Sequence, residues 1–231
     1  MRARTLQMNK GHISGQGSVH LIDDDYDIRT QLGALLRLLG YDVRTYADPM
    51  SFLETPDTDQ PSVVILEMTM PQMSGLDVQK NLTQRRDSTA VVLFLSGNSD
   101  RRQIVQAMKA GADDFLWKPI SQEDLEASIA KAMARSVERA ARLSRLRTLR
   151  HGFALLSARE RQLFELIIDG HQNRRIASHL NIRADTVKKH RAVICEKFLV
   201  AETADLIALA RTVEGNDNLF ALRPTDLASS A

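Results

Sequence analysis

One cysteine, Cys195, is all the thiol chemistry these 231 residues offer. That excludes an intramolecular disulfide and fits a reducing compartment. No apolar run approaches the ~20 residues that a membrane-spanning helix needs. The opening stretch MRARTLQMNKGHISGQG is basic but has no apolar core, so it does not read as a secretory signal. It reads as a flexible leader over residues 1–17, with Met8 offering an alternative start. From Gln122 to Arg150 there is neither proline nor glycine, so nothing in that stretch breaks a helix. These absences point to a cytoplasmic chain with no call on a membrane.

What is present fits a globular protein: 26% charged and 43% hydrophobic residues, enough chain for one large domain or two small ones. The formal net charge of +2 conceals an asymmetry. Residues 18–121 carry ten basic side chains against fifteen acidic ones, whereas 122–213 carry seventeen against eleven. An acidic front half suits a cation site, and a basic back half suits a nucleic-acid surface.

Residues 18–120 alternate short apolar runs with amphipathic segments, the pattern of a parallel sheet covered by helices on both faces. The central run, Val63-Val-Ile-Leu, ends in Glu67, then a proline turn at Pro71 and Gly75 opening the next helix. Val19-His-Leu-Ile ends in Asp23, Asp24 and Asp25; Ala90-Val-Val-Leu-Phe-Leu ends in Ser96-Gly97; Phe115-Leu-Trp ends in Lys118-Pro119. Open parallel sheets bind ligands outside the carboxyl ends of their strands. Each such residue alone could equally be a solvated strand end. Together they place acids, a hydroxyl and an ammonium at one sheet edge.

The stretch 122–150 predicts one long helix or two abutting ones. Its second half bears Arg135, Arg139, Arg142, Arg145, Arg147 and Arg150 against the single acid Glu138. Val137, Ala140, Leu143, Leu146 and Leu149 recur at three-residue steps, a period that drifts around a helix and does not sustain a coiled coil. A linker helix over 136–152 with partial dimer contacts is the preferred reading, a solvated basic helix the other. His151-Gly152 is expected to end it. Ser157 and Glu160 then form a capping box, followed by a helix stopping at Gly170 and a short helix capped by Asn173 and ending at Leu180. A basic helix from about Asp185 to Phe198 and a last one over Thr203 to Val213 complete a helix-turn-helix arrangement across 153–214. Residues 215–231 read as a flexible tail.

The ordered strand-end residues of 18–135 resemble the receiver domain of a two-component response regulator. The run LSARE…G…N-x-x-IA-x-x-L-x-I…TV-x-x-H…K resembles the LuxR-type output domain of the NarL/FixJ class. The first resemblance implies a (βα)₅ doubly wound sheet of order 2-1-3-4-5. It implies a Mg²⁺ ion held by Asp23, Asp24 and the acceptor carboxylate, with Ser96 and Lys118 engaging a phosphoryl group and Phe115 as the aromatic that reports activation. The second implies an all-α four-helix domain whose third helix enters the major groove of promoter DNA. Thr186, Val187, Lys188, Lys189, His190 and Arg191 lie on its leading turns. Lys188 and Lys189 are the candidates for base contact, and Arg191 or Arg175 for phosphate contact. Homodimers on paired half-sites are implied, a sensor histidine kinase remains undetermined, and no enzymatic activity is expected.

Two departures matter. Glu67 stands where receivers carry the aspartate that accepts phosphate. A glutamate extends the carboxylate by a C–C bond of ~1.5 Å, and misplacement by about 1 Å costs roughly 10²-fold in a transfer that depends on positioning. Glu67 is then a poor acceptor that imitates the phosphorylated state; the alternatives are a conventional phosphorelay regulator using Glu67 as acceptor, or a substituted aspartate. Further on, Arg183 replaces a serine common before the third helix, and Asp185 adds a negative charge near its start, where it could serve as N-cap. A rival reading from another class is an interaction module that no longer binds DNA. His20 and Trp117 carry no assigned role, and Cys195 is expected in the core.

Overall fold

The computed structural model describes residues 17–55, 60–85 and 87–212, so the leader up to residue 16, the tail and Val213 lie outside the described residues. The chain divides into two compact units, Met1–Ala140 and Ala141–Ala231.

In the first unit five parallel strands form one sheet in the order β2-β1-β3-β4-β5. They are β1 (Ser18–Ile22), β2 (Asp42–Tyr46), β3 (Ser62–Leu66), β4 (Val91–Ser96) and β5 (Asp114–Trp117). Alternation along each strand sends side chains to opposite faces. Val19, Leu21, Val63, Ile65, Leu93 and Leu95 pack on one face with Leu36 of α1 (Tyr26–Leu38) and with Leu125, Ile129 and Met133 of α5 (Gln122–Leu155). Ile22, Val64, Leu66, Val92 and Phe94 pack on the other face with Phe52 of α2 (Pro49–Leu53), Val78 and Leu82 of α3 (Gly75–Gln84), and Ala107 of α4 (Arg101–Lys109). Because β3 and β4 are covered on both sides, residues 63–66 and 91–95 read as unbroken apolar runs, whereas β1 carries His20 in its middle.

Short polar residues start the helices at the strand ends. Asp25 accepts hydrogen bonds from the Asp27 and Ile28 N–H groups, Asp48 from Ser51, and Asp100 from Gln103. Each satisfies a first-turn N–H that has no partner within its helix.

The helix α5 runs on through His151-Gly152 to Leu155. Gly152 does not break it, because tertiary packing outweighs a glycine cost of about 1 kcal/mol. Its role is close approach: a Cβ there would stand 2.5 Å from the Phe198 ring.

In the second unit, α5 contributes Leu146 and Leu149 to a core completed by α6 (Ala158–Ile168), α7 (Asn173–Leu180), α8 (Ala184–Lys197) and α9 (Thr203–Arg211). Phe164 and Phe198 stack there at 5.0 Å, with Phe153 against both edges-on. Ser157 and Glu160 form the expected capping box on α6. The start of α7 is shifted by one: Gln172 is its N-cap and Asn173 its first residue. Similarly, Arg183 occupies the extended N-cap position of α8, so Asp185 lies inside the first turn and does not cap it.

Candidate functional site

Four strand ends, those of β1, β3, β4 and β5, converge. The Glu67 N–H donates to the Ile22 carbonyl (3.0 Å), which extends the β1–β3 ladder and sets Glu67 beside Asp23. The main chain then turns so tightly that Gly75 is required: a Cβ there would lie 2.4 Å from the Glu67 carbonyl oxygen. Glu67 is only 9% exposed, Asp23 2% and Ser96 fully buried.

The Glu67 carboxylate is wholly engaged. Its Oε1 accepts from the Met68 N–H (2.7 Å), the Thr69 N–H (3.3 Å) and the Ser96 hydroxyl. Its Oε2 accepts from the Lys118 ammonium at 2.7 Å. The same ammonium donates to Asp23 Oδ2 at 2.5 Å, and Asp23 Oδ1 accepts from the Asp25 N–H at 2.9 Å. Lys118 is anchored by its own N–H on the Ser96 carbonyl (2.9 Å) and precedes a cis peptide to Pro119.

Burial raises the Asp23 carboxyl above its ordinary value, with the neighbouring Glu67 charge adding to it, while the Lys118 bond works the other way. Burial would lower Lys118, but its bonds to Asp23 and Glu67 prevail and hold it above its ordinary value. The result is a buried cluster of two acids and one base.

The arrangement brings together Asp23, Glu67, Ser96 and Lys118. It leaves Asp24 aside: that residue is exposed and, among the described residues, shares no hydrogen bond with the pair. Receiver domains generally bind Mg²⁺, which prefers oxygen ligands in near-ideal octahedral geometry. Here both carboxylates point their oxygens at N–H and O–H donors, and the third acid is in solvent. The side chains as placed do not fit the three-carboxylate set expected for the ion.

Phe115 is half-buried, its ring 6.3 Å from Phe94 and 5.1 Å from Trp117, which is 50% exposed. His20 belongs to an aromatic cluster with Tyr46 and Phe52, and Tyr46 and Ser18 hydroxyls meet its ring nitrogens at 3.1 Å. Ser99, whose hydroxyl donates to Ser96 at 3.0 Å, was not anticipated. Its place three residues after Ser96 was the one available signal. Arg29, which donates to the Asp23 carbonyl at 2.7 Å, was also missed.

In the second unit α7 and α8 are joined by a tight turn in which Asn181 takes a left-handed conformation (φ 52°). On α8 the side chains of Val187, Ile194 and Cys195 face the core. Asp185, Lys188, Lys189, Ala192 and Glu196 form the exposed face, at the three- and four-residue spacing of one helix side, with Val193 exposed beside them. Thr186 and His190 flank that face, half-buried, and Arg175 is exposed on α7. Two expected DNA residues are placed differently from the others. Val187 is fully buried, so its side chain holds the helix to the domain and reaches no groove. Arg191 is folded inward, donating from Nη2 to the His171 carbonyl at 2.6 Å.

A doubly wound sheet with this strand-end cluster, followed by a helix-turn-helix domain that exposes Lys188 and Lys189 on its third helix, defines a DNA-binding response regulator. The chain matches the response regulator receiver domain family over residues 19–130 and the LuxR family of bacterial regulatory proteins over 154–210. It is 38% identical over 190 residues to the tetrathionate response regulatory protein TtrR of Salmonella typhimurium, covering 82% of this chain and 90% of that one. It is 32% identical over 209 residues to the response regulator protein TmoT of Ectopseudomonas mendocina, covering 90% and 94%. Among solved structures, the response regulator StyR superposes with a TM-score of 0.71 at 36% identity, over 84% of this chain and 98% of that chain. The chain belongs to the receiver–LuxR-type response regulators. No helix among the described residues is long and apolar enough to cross a membrane.

Proposed function

We propose that this regulator acts on its promoters without being phosphorylated, Glu67 standing in for a phosphorylated aspartate. The observation that carries this is one carboxylate meeting the Ser96 hydroxyl and the Lys118 ammonium together. Those are the two groups that engage a phosphoryl group in the family the chain belongs to. The extra methylene supplies the reach, and the same reach makes Glu67 a poor acceptor. A phosphoryl group offers more charge and three acceptor oxygens, so the imitation is partial. Two-state logic leaves a phosphodonor little to add, because a ligand shifts an equilibrium only by its differential affinity for the two states.

On this reading the exposed face of α8, with Lys188 and Lys189 toward base edges and Arg175 toward phosphates, binds promoter DNA as a homodimer on paired half-sites. The test compares promoter affinity and phosphate incorporation for the parent, Glu67→Asp and Glu67→Ala, each with and without acetyl phosphate. The parent should bind DNA equally in both conditions. Glu67→Asp should accept phosphate and bind in a donor-dependent way, and Glu67→Ala should bind weakly throughout. Stable phosphorylation of the parent with a large gain in DNA affinity would establish instead a conventional phosphorelay through Glu67.

A further inference from the structure

We infer that the Lys118 ammonium is the resident cation of the strand-end site, so that the acidic pair keeps its arrangement without Mg²⁺. The inference rests on reading Glu67 as a built-in occupant of the site, and it assigns the site's cation.

Asp23 and Glu67 are both nearly removed from water, where two ionised carboxylates require a positive charge between them. What lies between them is Nζ of Lys118, in contact with Asp23 Oδ2 at 2.5 Å and Glu67 Oε2 at 2.7 Å. The remaining two oxygens accept hydrogen bonds as well. Asp23 Oδ1 is held by the Asp25 N–H, and Glu67 Oε1 by the Met68 N–H and the Ser96 hydroxyl. A magnesium ion must sit ~2.0–2.1 Å from its oxygens in octahedral order and keeps several waters. To bridge these same two oxygens it would have to stand beside an ammonium already bonded to both, so Lys118 would have to leave first. The acid that could compensate for that intrusion, Asp24, is exposed and outside the cluster.

The glutamate explains why the exchange is complete here. Its longer arm curls so that one oxygen meets Ser96 while the other meets Lys118, and a single lysine then satisfies both acids. Shortening the arm withdraws one of those contacts and frees lone pairs for a metal.

The experiment is a calorimetric titration of the full chain with magnesium chloride, read in parallel by melting temperature in Mg²⁺ and in EDTA. Emission of Trp117, the one tryptophan and the residue preceding Lys118, supplies a local signal. The parent should show no saturable heat, no change in emission and the same melting temperature in both media. Lys118→Ala should gain saturable Mg²⁺ binding and a melting temperature that rises with the ion, since a ligand of the native state alone stabilises it. Should that variant not fold, Glu67→Asp gives the same readout with the lysine in place. Saturable Mg²⁺ binding by the parent overturns the inference, and so does a failure of both variants to gain it. Promoter affinity of the parent in EDTA without a phosphodonor separates the two readings. Weak DNA binding with no Mg²⁺ uptake sinks phosphorylation independence and leaves the lysine's role standing. Mg²⁺ uptake with donor-independent DNA binding does the reverse.

Discussion

Each unit of this protein contains a lysine on a nearly buried carboxylate, and the two pairs behave differently. In the second unit Lys197 donates to both oxygens of Glu160, at 2.9 and 2.8 Å, and Glu160 also caps α6 through the Ser157 N–H. One acid faces one base, and the Lys197 bond draws the carboxyl down from 4.5 to about 2. In the first unit one base serves two acids, and burial pushes Asp23 the other way. The same bond is a clasp between one acid and one base in the second unit and a counter-charge shared by two acids in the first. That imbalance makes Lys118 indispensable, because its removal leaves both buried acids without a counter-charge.

The largest way to break the comparison is to remove each lysine. Lys118→Ala leaves two buried acids unopposed and should lower the first unit's stability by about 3–5 kcal/mol. Lys197→Ala should cost the second unit about 1–2 kcal/mol, because Lys197 is more exposed than Lys118 and Glu160 keeps its cap bonds. Urea unfolding followed by Trp117 emission for the first unit and by amide exchange for the second measures both. Equal losses would erase the distinction.

Next in size is the exposed counterpart of these buried charges. Lys188→Ala and Lys189→Ala should each weaken specific promoter binding by about 1–3 kcal/mol where the side chain meets a base edge. Neither should alter folding, since both are exposed. Gel-shift titrations on specific and unrelated DNA check this, and an unchanged specific affinity in the double variant would remove α8 from the interface.

The smallest effect is that of pH on the clasp. The folded-state value of Glu160 lies below its ordinary one, so on acidification the unfolded chain takes up the proton first. Its contribution is therefore complete above about 4.5 and fades as pH falls toward about 2. Glu160→Gln should flatten that part of the second unit's acid unfolding curve, measured by circular dichroism. An unchanged slope would show that other carboxylates carry it.

The strand-end cluster was legible because short apolar strands in parallel order leave few choices for where their last residues go. Asp23 and Asp24 could not be told apart on that basis: a strand turning into a helix sends consecutive side chains in different directions, and only one reaches Lys118. The run Thr186 to Arg191 shows the opposite difficulty. Six consecutive helical residues, at about 100° each, pass completely around the axis, so they cannot all face DNA. Helical spacing, not the density of basic residues, separates Lys188 and Lys189 from Val187. Gly152 was misread because a glycine that permits a close approach and one that ends a helix look alike until its neighbour, Phe198, is known.

The Ser136 hydroxyl sets where the first unit can be cut. It is fully buried, accepts from the Ser62 N–H at 2.7 Å and donates to the Thr89 carbonyl at 2.8 Å, tying the starts of β3 and β4 to α5. Arg139 adds a bond to the Ala90 carbonyl three residues on. A fragment ending at residue 135, where the sequence suggested a boundary, would strip three main-chain groups of their partners at the end of the sheet opposite Glu67. Dissection of the regulator into halves should therefore leave the chain intact through Ala140.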